Sequence, residues 1–120
     1  MALVLSKKPA IYLENDDDYR KIIFEGKTIT KSLFDGVEKC AEFTKVTIPE
    51  NVEGVRGDAF EDFANLQEAE ILDEVEGVER SLGGGGTLGI NWKNPTELAE
   101  HLRSGSYVEI KRRRGWGGWN

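Results

Sequence analysis

Thiols, imidazoles and long apolar runs are scarce in this chain, and each shortage removes a class of function. One cysteine, Cys40, among 120 residues cannot close an internal disulfide, so no covalent framework holds the fold and a reducing compartment is compatible with it. Its thiol is expected to pack as a small apolar group. The single histidine, His101, has no cysteine or second histidine at ligand spacing, which leaves no zinc pattern. Neither a Gly-x-Ser-x-Gly elbow nor a Cys–His pair is present, and 22 acidic residues with no marked pocket single out no carboxylate pair. An enzyme is therefore not expected, and no catalytic residue, cofactor or metal ligand is assigned. The opening run Leu3-Val4-Leu5 gives way to Ser6-Lys7-Lys8, too short for an export-signal core or a membrane span. The expected location is the cytoplasm, or a virion or other particle of which the chain is a component.

What the chain does have is a repeat. Ile48, Val52, Gly54 and Val55 recur 23 residues later as Ile71, Val75, Gly77 and Val78. A fixed period with apolar positions held and polar ones free is the mark of stacked units, none of which buries its own face alone. The length suits one domain, 1–120. The expected architecture is a β-rich repeat solenoid with one short helix near the C-terminus, and Ile48, Val52, Val55, Phe60, Leu66, Ile71, Val75 and Val78 should point inward.

The repeat resembles the BspA-type leucine-rich repeats, in which a strand of the form Val-Thr-Ile-Pro is followed by an apolar pair and an Ala-Phe closing half. Val46-Thr47-Ile48-Pro49 matches the strand, Val52 and Val55 the pair, and Ala59-Phe60 with Leu66 the closing half, while Phe63 stands at the family's Cys position. Ile29, Leu33, Phe34, Cys40 and Phe43 fit a preceding, lengthened unit, so the match covers residues 29–82. It implies a leucine-rich-repeat surface used for recognition or attachment through another protein.

Along the chain, residues 1–19 read as strands that cap the stack, with an acidic turn at Asn15-Asp16-Asp17-Asp18. That turn lacks the alternating spacing and distal glutamate of a calcium loop. Residues 20–82 carry the repeats, starting from the β-rich run Ile22-Ile23-Phe24. Residues 83–110 read as divergent turns. Gly83-Gly84-Gly85-Gly86 lacks the lysine and hydroxyl of a phosphate-binding loop and is followed by a strand pattern at Thr87-Leu88-Gly89-Ile90. Asn94-Pro95-Thr96-Glu97 marks a helix start with cap, first-turn proline and capping-box glutamate, and predicts a helix over 95–103 with Leu98, Ala99 and Leu102 inward. Glu97 and His101 share a face of it, as many supporting pairs do. Tyr107-Val108-Glu109-Ile110 alternates as a strand.

Charge is segregated. Between Glu50 and Glu79 eleven acidic residues face one basic one, Arg56, a local balance of −10 against −6 for the whole chain. Residues 111–120 form a basic and aromatic tail, in which Lys111, Arg112, Arg113, Arg114, Trp116 and Trp119 are the candidate partner-binding residues. Cations interleaved with aromatics suit phosphate and base contact, but the acidic body repels a polyanion. The leading expectation is a non-enzymatic protein-binding or structural module in a larger assembly, with virion or particle surface protein as one form of it. A nucleic-acid-binding accessory protein acting through the tail is the alternative. The expected partner is a protein or a second copy, in a homo-oligomer whose tail meets the acidic repeat face of the next subunit.

Overall fold

A computed structural model of the chain describes residues 2–6, 19–72 and 74–112. The elements in chain order are β1 (Ala2–Ser6), β2 (Tyr19–Ile23), β3 (Thr28–Ile29), β4 (Lys45–Ile48), β5 (Gly54–Val55), β6 (Glu68–Ile71), β7 (Val75–Leu82), β8 (Gly86–Gly89), α1 (Pro95–Leu102) and β9 (Val108–Arg112), with short 3-10 turns at Lys31–Phe34 and Cys40–Glu42. The strands form two sheets. One is parallel, in the order β2-β1-β4-β6, and the other is mixed, in the order β3-β5-β9-β7-β8.

This arrangement corrects the expected solenoid. In a continuous stack each strand pairs with its counterpart one period away, yet both sheets interleave strands distant in sequence. β1 does not cap an end: it lies between β2 and β4, parallel to both, with Leu3 and Leu5 wholly buried on its inner face. In the mixed sheet β9 runs antiparallel between β5 and β7, so Val55 and Val78 are not stacked neighbours. Among the described strands the 23-residue period sets the register of one pair, with Lys45 opposite Glu68 and Ile48 opposite Ile71. Chain segments far apart in sequence supply the missing neighbours, which no local pattern encodes.

The core between the sheets follows from alternation. β4 buries Val46 and Ile48 and leaves Lys45 exposed, as expected of a strand with one packed face. Of the residues expected inward, Val52, Val55, Phe60, Leu66 and Val78 are buried as Ile48 is, while Ile71 and Val75 are only partly covered at the core margin. Phe34, Phe43, Phe60 and Phe63 form one aromatic cluster with ring centroids 4.9 to 5.9 Å apart. The short turns between strands aim these rings inward in tilted and edge-on contacts, which aromatic quadrupoles favour. Phe63 is the ring that touches the other three.

Helix α1 begins as its sequence predicts. The Asn94 side chain accepts from the backbone N–H groups of Thr96 and Glu97, with Pro95 in the first turn. Glu97 does not close a capping box: its carboxylate accepts from the N–H of Asn91 at 3.1 Å, fastening the preceding turn. Leu98, Ala99 and Leu102 are buried. Arg103 is the C-cap, one residue beyond the helix.

Two glycines, Gly54 in β5 and Gly57 in the turn after it, lie where other groups come close. A Cβ at Gly54 would collide with the ring and hydroxyl of Tyr107, and one at Gly57 with the backbone carbonyl of Gly105. Gly77, the counterpart of Gly54 one period on, has open space around it. The repeated glycine thus has a packing reason at only one of its two positions.

Candidate functional site

The basic run was expected to leave the fold, and its first half does the opposite. Lys111 and Arg112 are the last residues of β9, paired there with Gly77 and Val75 of β7. The Arg112 guanidinium donates from Nε to the carbonyl of Val52 at 2.9 Å and from Nη2 to that of Pro49 at 2.7 Å, while Nη1 donates to the carbonyl of Leu72. Pro49 and Leu72 follow β4 and β6 and stand one 23-residue period apart. One planar fork therefore joins equivalent main-chain acceptors of both repeat units to the mixed sheet, a geometry that suits the five fixed donors of arginine.

Lys111 Nζ lies 3.1 Å from Glu79 Oε2 on β7. The hydrogen bond to Glu79 raises the lysine's pKa above its ordinary value, with the charges of Glu79, Glu109 and Glu76 adding to it. Within the chain, then, Lys111 already meets an acidic partner. Placing β9 inside the sheet brings it against the acidic segment of its own chain without a hinge. Arg113, Arg114, Trp116 and Trp119 lie outside the described residues, as does the acidic turn at 15–18.

A cleft of about 570 Å³ opens beside this strand, lined by Lys27, Glu53, Glu76, Tyr107, Glu109 and Lys111 among others. Its charges are mixed in sign. Among the described residues no three His, Cys, Asp or Glu side chains cluster as metal ligands do. Lys31 is likewise held by the chain's own acids, 3.1 Å from Glu61 and 4.0 Å from Asp62.

His101 joins two elements. Arg80 Nη1, which can only donate, lies 3.2 Å from His101 Nδ1, so Nδ1 accepts and the neutral ring carries its proton on Nε2. That nitrogen faces the Glu97 carboxylate at 3.8 Å. The three side chains link α1 to β7, consistent with the supporting role expected of the Glu97–His101 pair. The Cys40 thiol donates to the carbonyl of Val37, and burial pushes its pKa up, which makes it a weak nucleophile.

The Gly83–Gly86 run is a hairpin turn. β7 and β8 pair antiparallel with Leu82 opposite Gly86, and Gly84 and Gly85 hold φ values of 77° and 94°, a region that favours glycine. β8 is the outermost strand of the mixed sheet, and Gly86, Thr87, Leu88 and Gly89 are all exposed. Leu82 and Leu88 remain 39% and 40% exposed. Sequence reasoning passed over this edge, although a signal existed. In a chain with 32% charged residues, Ser81 to Trp92 contains none.

No protein-family model, curated protein or solved structure matches the chain. No helix among the described residues is long and apolar enough to cross a membrane.

Proposed function

We propose that the chain is a non-enzymatic protein-binding or structural module that serves as a component of a larger assembly, in the cytoplasm or in a virion or other particle. The observation that carries this reading is the commitment of the basic run to the fold. Arg112 is held by three main-chain carbonyls and Lys111 by Glu79, so two of the four cations at 111–114 are engaged inside the molecule. Nucleic-acid binding needs such cations free to neutralise phosphates. The acidic surface around them works against a polyanion as well. An open sheet edge with exposed leucines supports contact with protein instead.

The test is a titration of the full chain into fluorescently labelled single-stranded RNA and double-stranded DNA oligonucleotides at low salt, followed by anisotropy. No saturable binding at micromolar protein is expected. Saturable binding that weakens steeply as salt is added would overturn the reading in favour of a nucleic-acid-binding accessory protein.

A further inference from the structure

β8 exposes one long side of its backbone. Along an antiparallel pair, successive residues direct their N–H and C=O groups alternately toward and away from the partner strand. The N–H of Ser81 bonds to the carbonyl of Tyr107 on the β9 side, and the N–H of Ile90 bonds to the carbonyl of Val78. With Arg80 opposite Leu88 and Ser81 opposite Thr87, this phase turns the main chain of Gly86 and Leu88 toward β7. The main-chain groups of Thr87 and Gly89 therefore face the open edge, where no described residue gives them a backbone partner.

Natural edge strands are protected by charge, proline, a bulge or a covering element. β8 carries no charge and no proline, and among the described residues no strand pairs with its outer side, so its protection there is its length of four residues. We propose that this edge pairs with β8 of a second copy of the chain, antiparallel about a two-fold axis through Leu88, to join two mixed sheets into one. The inference rests on the reading of the chain as an assembly component and names the partner at this edge.

The pairing follows from the alternation. With Thr87 opposite the partner's Gly89 and Gly89 opposite the partner's Thr87, the outward groups form about four main-chain hydrogen bonds between two copies. Leu88 then faces the partner's Leu88 in the non-hydrogen-bonded position, where opposed side chains come closest. That contact covers the exposed leucine, and Leu82 lies on the same face one diagonal step away. The neutral edge admits a second copy of an acidic chain. The chain is acidic overall, at −6, so two copies repel across most approaches. The uncharged stretch from Ser81 to Trp92 lets them meet at this edge without like charges opposed. A basic or acidic peptide would find no counter-charge there.

Sedimentation velocity of the full chain from about 10 μM to about 1 mM tests the pairing by mass action. The expected result is a monomer that becomes a dimer with rising concentration. Two variants locate the contact. Thr87→Pro removes an outward N–H and leaves the bonds to β7 in place; Leu88→Lys leaves the backbone intact and sets two cations against each other at the axis. Both should keep the far-ultraviolet circular dichroism of the parent and stay monomeric throughout, and should they do so the pairing is supported. A parent chain monomeric at the highest concentration overturns the inference, whether or not a strand of another protein occupies the edge. So does a dimer that survives in either folded variant. If Thr87→Pro fails to fold, Leu88→Lys alone decides. Neither negative result touches the assembly-component reading, which falls instead if the oligonucleotides bind.

Discussion

Replacing Arg112 should cost this fold more than any other single surface substitution, because one side chain of β9 satisfies three acceptors in two other segments, the turn at 49–52 and the residue after β6. Hydrogen bonds to a charged group are each worth about 1.5–3 kcal/mol. Val52 and Pro49 accept in partly buried positions and Leu72 in an exposed one, so water recovers part of the third bond and some of the others. Arg112→Met, which keeps the apolar stem while removing every donor, is expected to lose about 3 kcal/mol. For a domain of this size that is a fall in Tm on the order of 10–15 °C. Arg112→Lys keeps the charge but cannot present three donors in one plane, and should recover less than half of the loss. Urea unfolding followed by tryptophan fluorescence and circular dichroism measures both. A loss for Arg112→Met within about 0.5 kcal/mol of zero, the range of ordinary surface changes, would refute the reasoning and return Arg112 to the pool of residues free to meet a partner.

Other substitutions test separate parts of the fold. Asn94→Ala should cost about 1 kcal/mol by urea unfolding, since the side chain caps two N–H groups of α1. Ile48→Ala should cost about 2–5 kcal/mol and Ile71→Ala clearly less, although the two are opposite in register, because Ile48 is wholly buried and Ile71 only partly so; equal losses would argue for a shared, fully closed stack. Cys40 should alkylate more slowly at pH 8 than free cysteine, because burial favours the neutral thiol. With the folded pKa above the unfolded one, this group's contribution to stability is present at lower pH and is lost as pH rises past the unfolded value. Alkylation as fast as that of free cysteine would contradict the burial.

The sequence made some of these features legible and concealed others for physical reasons. Local chemistry was readable: Asn94, Pro95 and Thr96 act within one turn, and their caps form where the spacing predicts. Alternation in Val46-Thr47-Ile48 likewise identified a strand with one buried face. The 23-residue period was real but misleading. It reports that β4 and β6 are parallel neighbours in register, and says nothing of strands inserted elsewhere, so β1 and β9 turned an expected solenoid into two interleaved sheets. Lys111 and Arg112 looked like a partner-binding run because cations bound to phosphate and cations bound to carbonyls are spelled alike. Their role was set by β9 lying between β5 and β7, a contact with residues about 30 and 60 positions away that no local rule supplies. The strand pattern at 87–90 was legible, but its place at the sheet edge was not, because that is set by β9 occupying the other side of β7.

Amide hydrogen exchange along β9 tests the central claim most directly, namely that residues 108–112 are an interior strand of the mixed sheet and not the base of a free tail. The N–H of Ile110 donates to the carbonyl of Glu53 at 2.9 Å, and both Val108 and Ile110 are buried. Their amides should therefore open only with global unfolding and exchange as slowly as Val46 in the middle of the parallel sheet. Exchange at unfolded-chain rates from Val108 onward, with Val46 still protected, would contradict the account.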